Sequence, residues 1–151
     1  GRLGSAAMSV GNAQGAFERV LDFTSNRVVG KNPKPIREHS IATGMLADMA
    51  IGIETARLAY LQAAWRFDNP QEYGERDSIQ QLSSASIAKV YAADMAVNVT
   101  NRAMELMGSY GYVRDYDVEK YWRDCKMIQL WEGGAQIGRF DVCRAYYDLP
   151  L

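Results

Sequence analysis

This sequence predicts an all-α fold, an up-and-down four-helix bundle with a short extra helix. Long stretches carry apolar residues at helical spacing, turn signals separate those stretches, and no segment alternates as a half-buried strand would. The first helix is expected over Leu3 to Ser25, with Ala6, Val10, Ala13, Phe17, Val20 and Leu21 on one stripe. The segment from Gly30 to Pro35 cannot be helical, because its prolines remove donors and bias the residues before them toward extended backbone. A second helix follows over Glu38 to Phe67. Its stripe of Ile41, Met45, Met49, Ile53, Ala56, Tyr60, Ala63 and Phe67 has the near-3.5 repeat of an antiparallel bundle.

Asn69-Pro70 stops that helix, and the polar stretch through Gly74 to Arg76 reads as a turn. Asp77 or Ser78 caps a third helix that reaches Met107, with Ile87, Val90, Val97, Met104 and Met107 on its stripe and Gly108 as its C-terminal cap. A shorter helix over Val118 to Lys126 and a last one over Ala135 to Tyr147 complete the set. Val28-Val29 and Met127 to Trp131 read as loop pieces by length and flanks.

The chain has 151 residues, enough for one domain that buries ~68–70% of its unfolded surface. A net charge of −1 gives no basic excess, which argues against nucleic acid or anionic lipid as a partner. No apolar run approaches the ~20 residues that span a bilayer, so membrane insertion is not expected. With His39 the only histidine, and Cys125 and Cys143 far apart, no metal site is expected. Both thiols read as small buried hydrophobes in a reducing compartment. The expected setting is cytoplasmic, or the mitochondrial matrix in a eukaryote.

The densest chemistry lies between Gly108 and Arg139. Glu132 follows Leu130 and Trp131 and precedes Gly133 and Gly134. Apolar neighbours strip water from a carboxylate and disfavour its charged form, which suits a general base that takes a carbon-bound proton. The glycines let a backbone or a flat ligand come close. An acidic residue complementing a helix dipole is the other reading. The aromatic and glycine density from Gly108 to Tyr121 is likewise open to two readings. It is a loop packed over the bundle end, or a platform beside a flat ligand or a second subunit.

The blocks Gly108-Ser109-Tyr110-Gly111, Arg114-Asp115-Tyr116-Asp117-Val118-Glu119, Arg123-Asp124-Cys125 and Trp131-Glu132-Gly133-Gly134-Ala135-Gln136-Ile137-Gly138-Arg139 together resemble the C-terminal signature of the acyl-CoA dehydrogenase family. The resemblance implies residues 1–151 are the C-terminal helical domain of a larger FAD-dependent subunit, inactive by itself. It implies an acyl-CoA thioester substrate, a trans-2-enoyl-CoA product and Glu132 as the α-proton base. Some relatives place the base one residue before an arginine that matches Arg2. That position is Gly1 here, which leaves Glu132.

The same resemblance implies further roles. Arg2, Trp131 and Gly133 fall on the substrate side. Arg27 falls where relatives contact a flavin pyrophosphate, usually that of a neighbouring subunit. Glu105, Gly108 and Ser109 fall in the turn beside the adenosine half, and Gly134 and Gln136 in the loop that touches the cofactor. Departures from the pattern are Val29-Gly30 for Phe-Gly, the extra Asn32 to Pro35, Glu105 for Gln, Ser40 for Gln and Gly134 for Thr. Electron-transfer flavoprotein as acceptor and a homodimer or homotetramer complete the expectations. A non-catalytic oligomerisation bundle, or an acyl-CoA oxidase or flavin monooxygenase on the same scaffold, are the rival readings.

Overall fold

The computed structural model describes residues 1–149; residues 150 and 151, the end of the expected domain, lie outside the described residues. Four long helices run up and down: α1 (Arg2–Asn26), α2 (Ser40–Asp68), α4 (Ile79–Met107) and α6 (Val118–Leu130). Two single-turn helices, α3 (Pro70–Tyr73) and α5 (Ser109–Tyr112), fill connections read above as turn and loop, and α7 (Gly134–Arg144) closes the chain. Among the described residues no helix is long and apolar enough to cross a membrane.

α1 and α4 form the most extensively packed pair, α2 and α6 flank them, and α7 lies along α4. Small residues make this possible. Ala88, Ala92, Ala93, Ala96 and Ala103 of α4 and Ala6, Ala13 and Ala16 of α1 are all buried. Helix axes approach to the near end of the ~8–10 Å range only where contact side chains are this short. The hydroxyls on these faces add no polar debt: Ser9 donates to Ser5 O at 2.9 Å, Thr24 to Val20 O at 2.6 Å and Thr100 to Ala96 O at 2.8 Å.

Most caps follow the sequence. The Ser78 hydroxyl accepts from the Gln81 amide at 3.3 Å, and Gly108 ends α4 at φ 60°. Several details differ. The piece Met127 to Trp131 is not a loop: α6 continues through Leu130, because Cys125 and Ile128 extend its buried face. Val28–Val29 (β1) pairs antiparallel with Lys34–Pro35 (β2), the turn being made at Gly30 with φ 92°. The last helix ends at Arg144 rather than Tyr147.

Two stripe assignments fail. Ile41 is 80% exposed and Ile87 45% exposed. Around Ile41 the buried positions are Ala42 and Leu46, one step round the helix, and on α4 the alanines rather than the large side chains take the centre. Cys125 is buried as expected, but Cys143 is only partly so.

Overpacking one of the central alanines tests this account. Ala96→Leu is expected to lower unfolding free energy by about 1–3 kcal/mol in urea titration, whereas Ile41→Thr changes it by less than about 0.5 kcal/mol. Equal effects at the two positions would contradict the packing described.

The thiols give a second test. Burial, only partly offset by a contact with Thr100, pushes the Cys125 thiol up to about 12. At pH 8 its thiolate is about one part in ten thousand, so a disulfide reagent should titrate Cys143 alone in the native chain and both thiols in guanidinium. Two rapidly reacting native thiols would exclude the buried position.

Candidate active site

α1 and α4 run parallel, so side chains from their N-terminal halves meet at one end of the bundle. Arg2 donates to Ser86 Oγ at 2.6 Å and pairs with Asp141 of α7 at 2.5 Å. Asp141 is buried and also faces Arg144 at 3.7 Å. Arg2 is therefore no frayed terminal residue; it ties α1 to α4 and α7.

Glu132 lies next to this network, in the corner between α6 and α7. Its carboxylate sits where a Cβ on Gly1 would be, so the two candidate base positions, 1 and 132, converge in space. Glu132 holds φ 53°, a left-handed conformation that costs a non-glycine residue about 1–2 kcal/mol, and Gly133 and Gly134 continue it at φ 87° and 67°. Trp131 anchors the corner by donating its indole N–H to Ser5 Oγ at 3.1 Å.

The expected desolvation of Glu132 is not met within this chain. Glu132 is exposed, and so are Leu130 (67%) and Trp131 (37%). The two apolar side chains turn outward with Met127 to form an open hydrophobic surface lined also by Trp122 and Lys126. None of the ion pairs among the described residues includes Glu132.

On the other side of the corner, Gly133, Gly134 and Gln136 line a polar hollow of 600 Å³. There Asp94 accepts from Gln129 Nε2 at 2.7 Å and pairs with Arg139. Gly133 is the N-cap of α7 and makes no side-chain cap bond, and a Cβ at Gly134 would meet open space.

The remaining expected residues gather at the opposite end. Arg27, at the end of α1, sets its guanidinium over the Tyr110 ring at 5.3 Å. Tyr110 packs on Phe23 at 5.5 Å and on Tyr116 at 5.3 Å. Part of the aromatic segment is thus a cap on the bundle end, although Tyr112 is exposed. Glu105 accepts from Asn101 at 2.9 Å, and Gly108 and Ser109 are exposed beside it. Spanning α1 at 1.5 Å per residue puts Arg27 about 37 Å from Arg2.

A larger groove of 880 Å³ lies between α2, α4 and α7, lined by Ile51, Ile87, Tyr91, Met95 and Val142. It does not include Glu132, and its lining is mostly apolar.

One functional candidate escaped the sequence reading. Lys89 is buried in α4, its ammonium donating to Gln129 O at 3.1 Å and Trp131 O at 3.0 Å. A single cation within Ala88-Lys89-Val90-Tyr91-Ala92-Ala93 was the available signal.

With this geometry in hand, the match to known proteins has a structural meaning. The acyl-CoA dehydrogenase C-terminal domain model matches residues 1–147, and the chain belongs to that family. It is 34% identical over 137 residues to the caffeyl-CoA reductase–Etf complex subunit CarC of Acetobacterium woodii, covering 91% of this chain and 34% of the relative. It is 36% identical over 138 residues to cyclohexane-1-carbonyl-CoA dehydrogenase of Geobacter metallireducens, covering 91% and 34%. Its fold superposes on the flavoprotein nitroalkane oxidase with a TM-score of 0.84 at 28% identity, covering 97% of this chain and 34% of that one. The chain thus spans about a third of the length of the relatives it matches.

The Arg2–Asp141 contact carries a direct stability test. Asp141→Ala leaves Arg2 without its carboxylate and is expected to cost roughly 1.5–3 kcal/mol in denaturant unfolding. A cost below about 0.5 kcal/mol would reduce it to an ordinary surface pair.

Proposed function

We propose that residues 1–151 are the C-terminal domain of an FAD-dependent acyl-CoA dehydrogenase subunit, in which Glu132 removes the α-proton of an acyl-CoA thioester. The observation that carries the reading is the Glu132 carboxylate itself, exposed, outside the ion-pair network and held in a strained conformation beside an open apolar surface. Strain of this kind persists only where the surroundings enforce it, and it gathers at functional sites. A surface that covers Leu130, Trp131 and Met127 would also exclude water from Glu132, making it the desolvated base that proton abstraction from carbon requires.

The residues present fit a flavin. Gly134 opens onto empty space, no side chain caps the N-terminus of α7, and Arg27 offers a guanidinium held on an aromatic face for a phosphate. A bound FAD would supply a two-electron acceptor for the β-hydrogen as hydride, while Glu132 would take the α-hydrogen as a proton, leaving the double bond of a trans-2-enoyl-CoA. Trp131, Gly133 and Arg2 would line the thioester side, with Gly134 and Gln136 on the cofactor side.

Arg27, Glu105, Gly108 and Ser109 stand at the far end, about 37 Å away by helix rise, beyond the reach of the same flavin. They would serve the flavin of a second copy, which makes a homodimer or homotetramer the natural assembly. The exposed Ile51, Ile87 and Tyr91 supply an apolar surface for it. A relative named for its Etf complex supports electron-transfer flavoprotein as the acceptor. The likeness to nitroalkane oxidase keeps an oxidase on this scaffold as the second reading, distinguished by oxygen consumption in place of acceptor reduction.

The test uses the full-length flavoenzyme with acyl-CoA thioesters from butyryl-CoA to cyclohexanecarbonyl-CoA. Glu132→Gln keeps the shape and removes the base. It should slow substrate-dependent flavin bleaching by roughly 10²–10⁴-fold with FAD still bound. Near-normal bleaching would sink the assignment.

A further inference from the structure

Lys89 is 1% exposed, the buried lysine among the described residues, and no step above uses it. Its two acceptors, Gln129 O and Trp131 O, are carbonyls at the C-terminal end of α6, where a cation complements the helix dipole and satisfies groups that have no helical donor. The peptide that contains Trp131 O leads directly into Glu132. From this geometry we infer that Lys89 is the positioning residue of Glu132: by clamping both carbonyls from the neighbouring helix, it sets the direction in which the Glu132 side chain leaves the corner. The role rests on Glu132 being the base.

Glu132 can hold φ 53° only if the chain on either side is pinned. Upstream, Trp131 is fixed at four points: its amide donates to Met127 O at 3.1 Å, its carbonyl accepts from Lys89 and from the Gly134 amide at 3.0 Å, and its indole donates to Ser5. Downstream, Gly133 turns straight into α7. Without Lys89 two carbonyls lose a charge-assisted donor in a buried place, and the corner can relax toward an ordinary backbone conformation.

The charges facing Lys89 are Arg2 from α1, Asp94 from α4 itself and Glu132 from the corner. Burial, with Arg2 adding to it, holds the ammonium below the ordinary lysine value, while Asp94 and Glu132 oppose. A neutral amine still carries two N–H groups for two carbonyls. The clamp therefore survives loss of the charge.

A helix cap that merely stabilises α6 would lower stability without acting through Glu132, and a double-mutant cycle separates the two. In the full-length flavoenzyme, with the same acyl-CoA panel, Lys89→Met should slow bleaching on the order of 100-fold. Its Kd for the thioester should change less than about threefold, and FAD should be retained. Placed in the Glu132→Gln background, the same substitution should change the residual rate less than about threefold. Equal fold-losses in both backgrounds, or a wild-type rate in Lys89→Met, overturn the role. Near-normal bleaching by Glu132→Gln alone overturns the base assignment instead, so the two failures are distinct. If Lys89→Met does not fold, Lys89→Gln, whose shorter amide reaches one carbonyl at most, is put through the same cycle with the same criteria.

Discussion

Close packing around α4 is the constraint on which the rest of the structure depends. α1, α2, α6 and α7 all lie against it, and a helix accepts four neighbours most readily where its buried positions are small, as the seven alanines and serines among the 13 buried residues of α4 are. Short side chains give up some apolar area per residue, but they allow dense contact between backbones, where many small dispersion terms accumulate. The same constraint leaves long side chains few places to lie. Lys89 is the one charged side chain buried on α4, and it lies where α6 ends and its carbonyls need a donor.

The parallel pairing of α1 with α4 then divides the candidate site residues. Arg2, Ser86, Lys89 and Asp141 meet at one end because the helices start together; Phe23, Arg27 and Tyr110 meet at the other because they finish together. A bundle of this length therefore places its candidate site residues in two separate regions, each with donors and open glycines.

Helix existence was legible in the sequence because periodicity, Pro70, Ser78 and Gly108 all pointed the same way. Which face is buried was less so. A stripe through the large apolar residues marks the buried face of α1, whose neighbours lie on one broad side. On α4 it failed at Ile87, since a helix surrounded by others has no single apolar stripe and its centre goes to alanine. The continuation of α6 past Lys126 was hidden for another reason: besides the buried Ile128, its end is supported by Lys89, 40 residues away. Such a donor leaves no trace in local propensity.

For the site, the sequence signalled Glu132 through its motif and its glycines, while the physical argument from apolar flanks pointed the wrong way. Leu130 and Trp131 do not fold over the carboxylate; they face outward beside it. Adjacent residues in a turn diverge, so neighbours in sequence are poor guides to what covers a charge. What the corner supplies is direction: a left-handed Glu132 between an indole bound to Ser5 and two open glycines. On the proposed reading, dryness has to come from whatever covers the hydrophobic surface of Met127, Leu130 and Trp131. Glu132 would then be a base whose orientation is built in and whose desolvation arrives with the covering surface. Its interactions would reach full strength, and its proton chemistry would run, only in the assembled state.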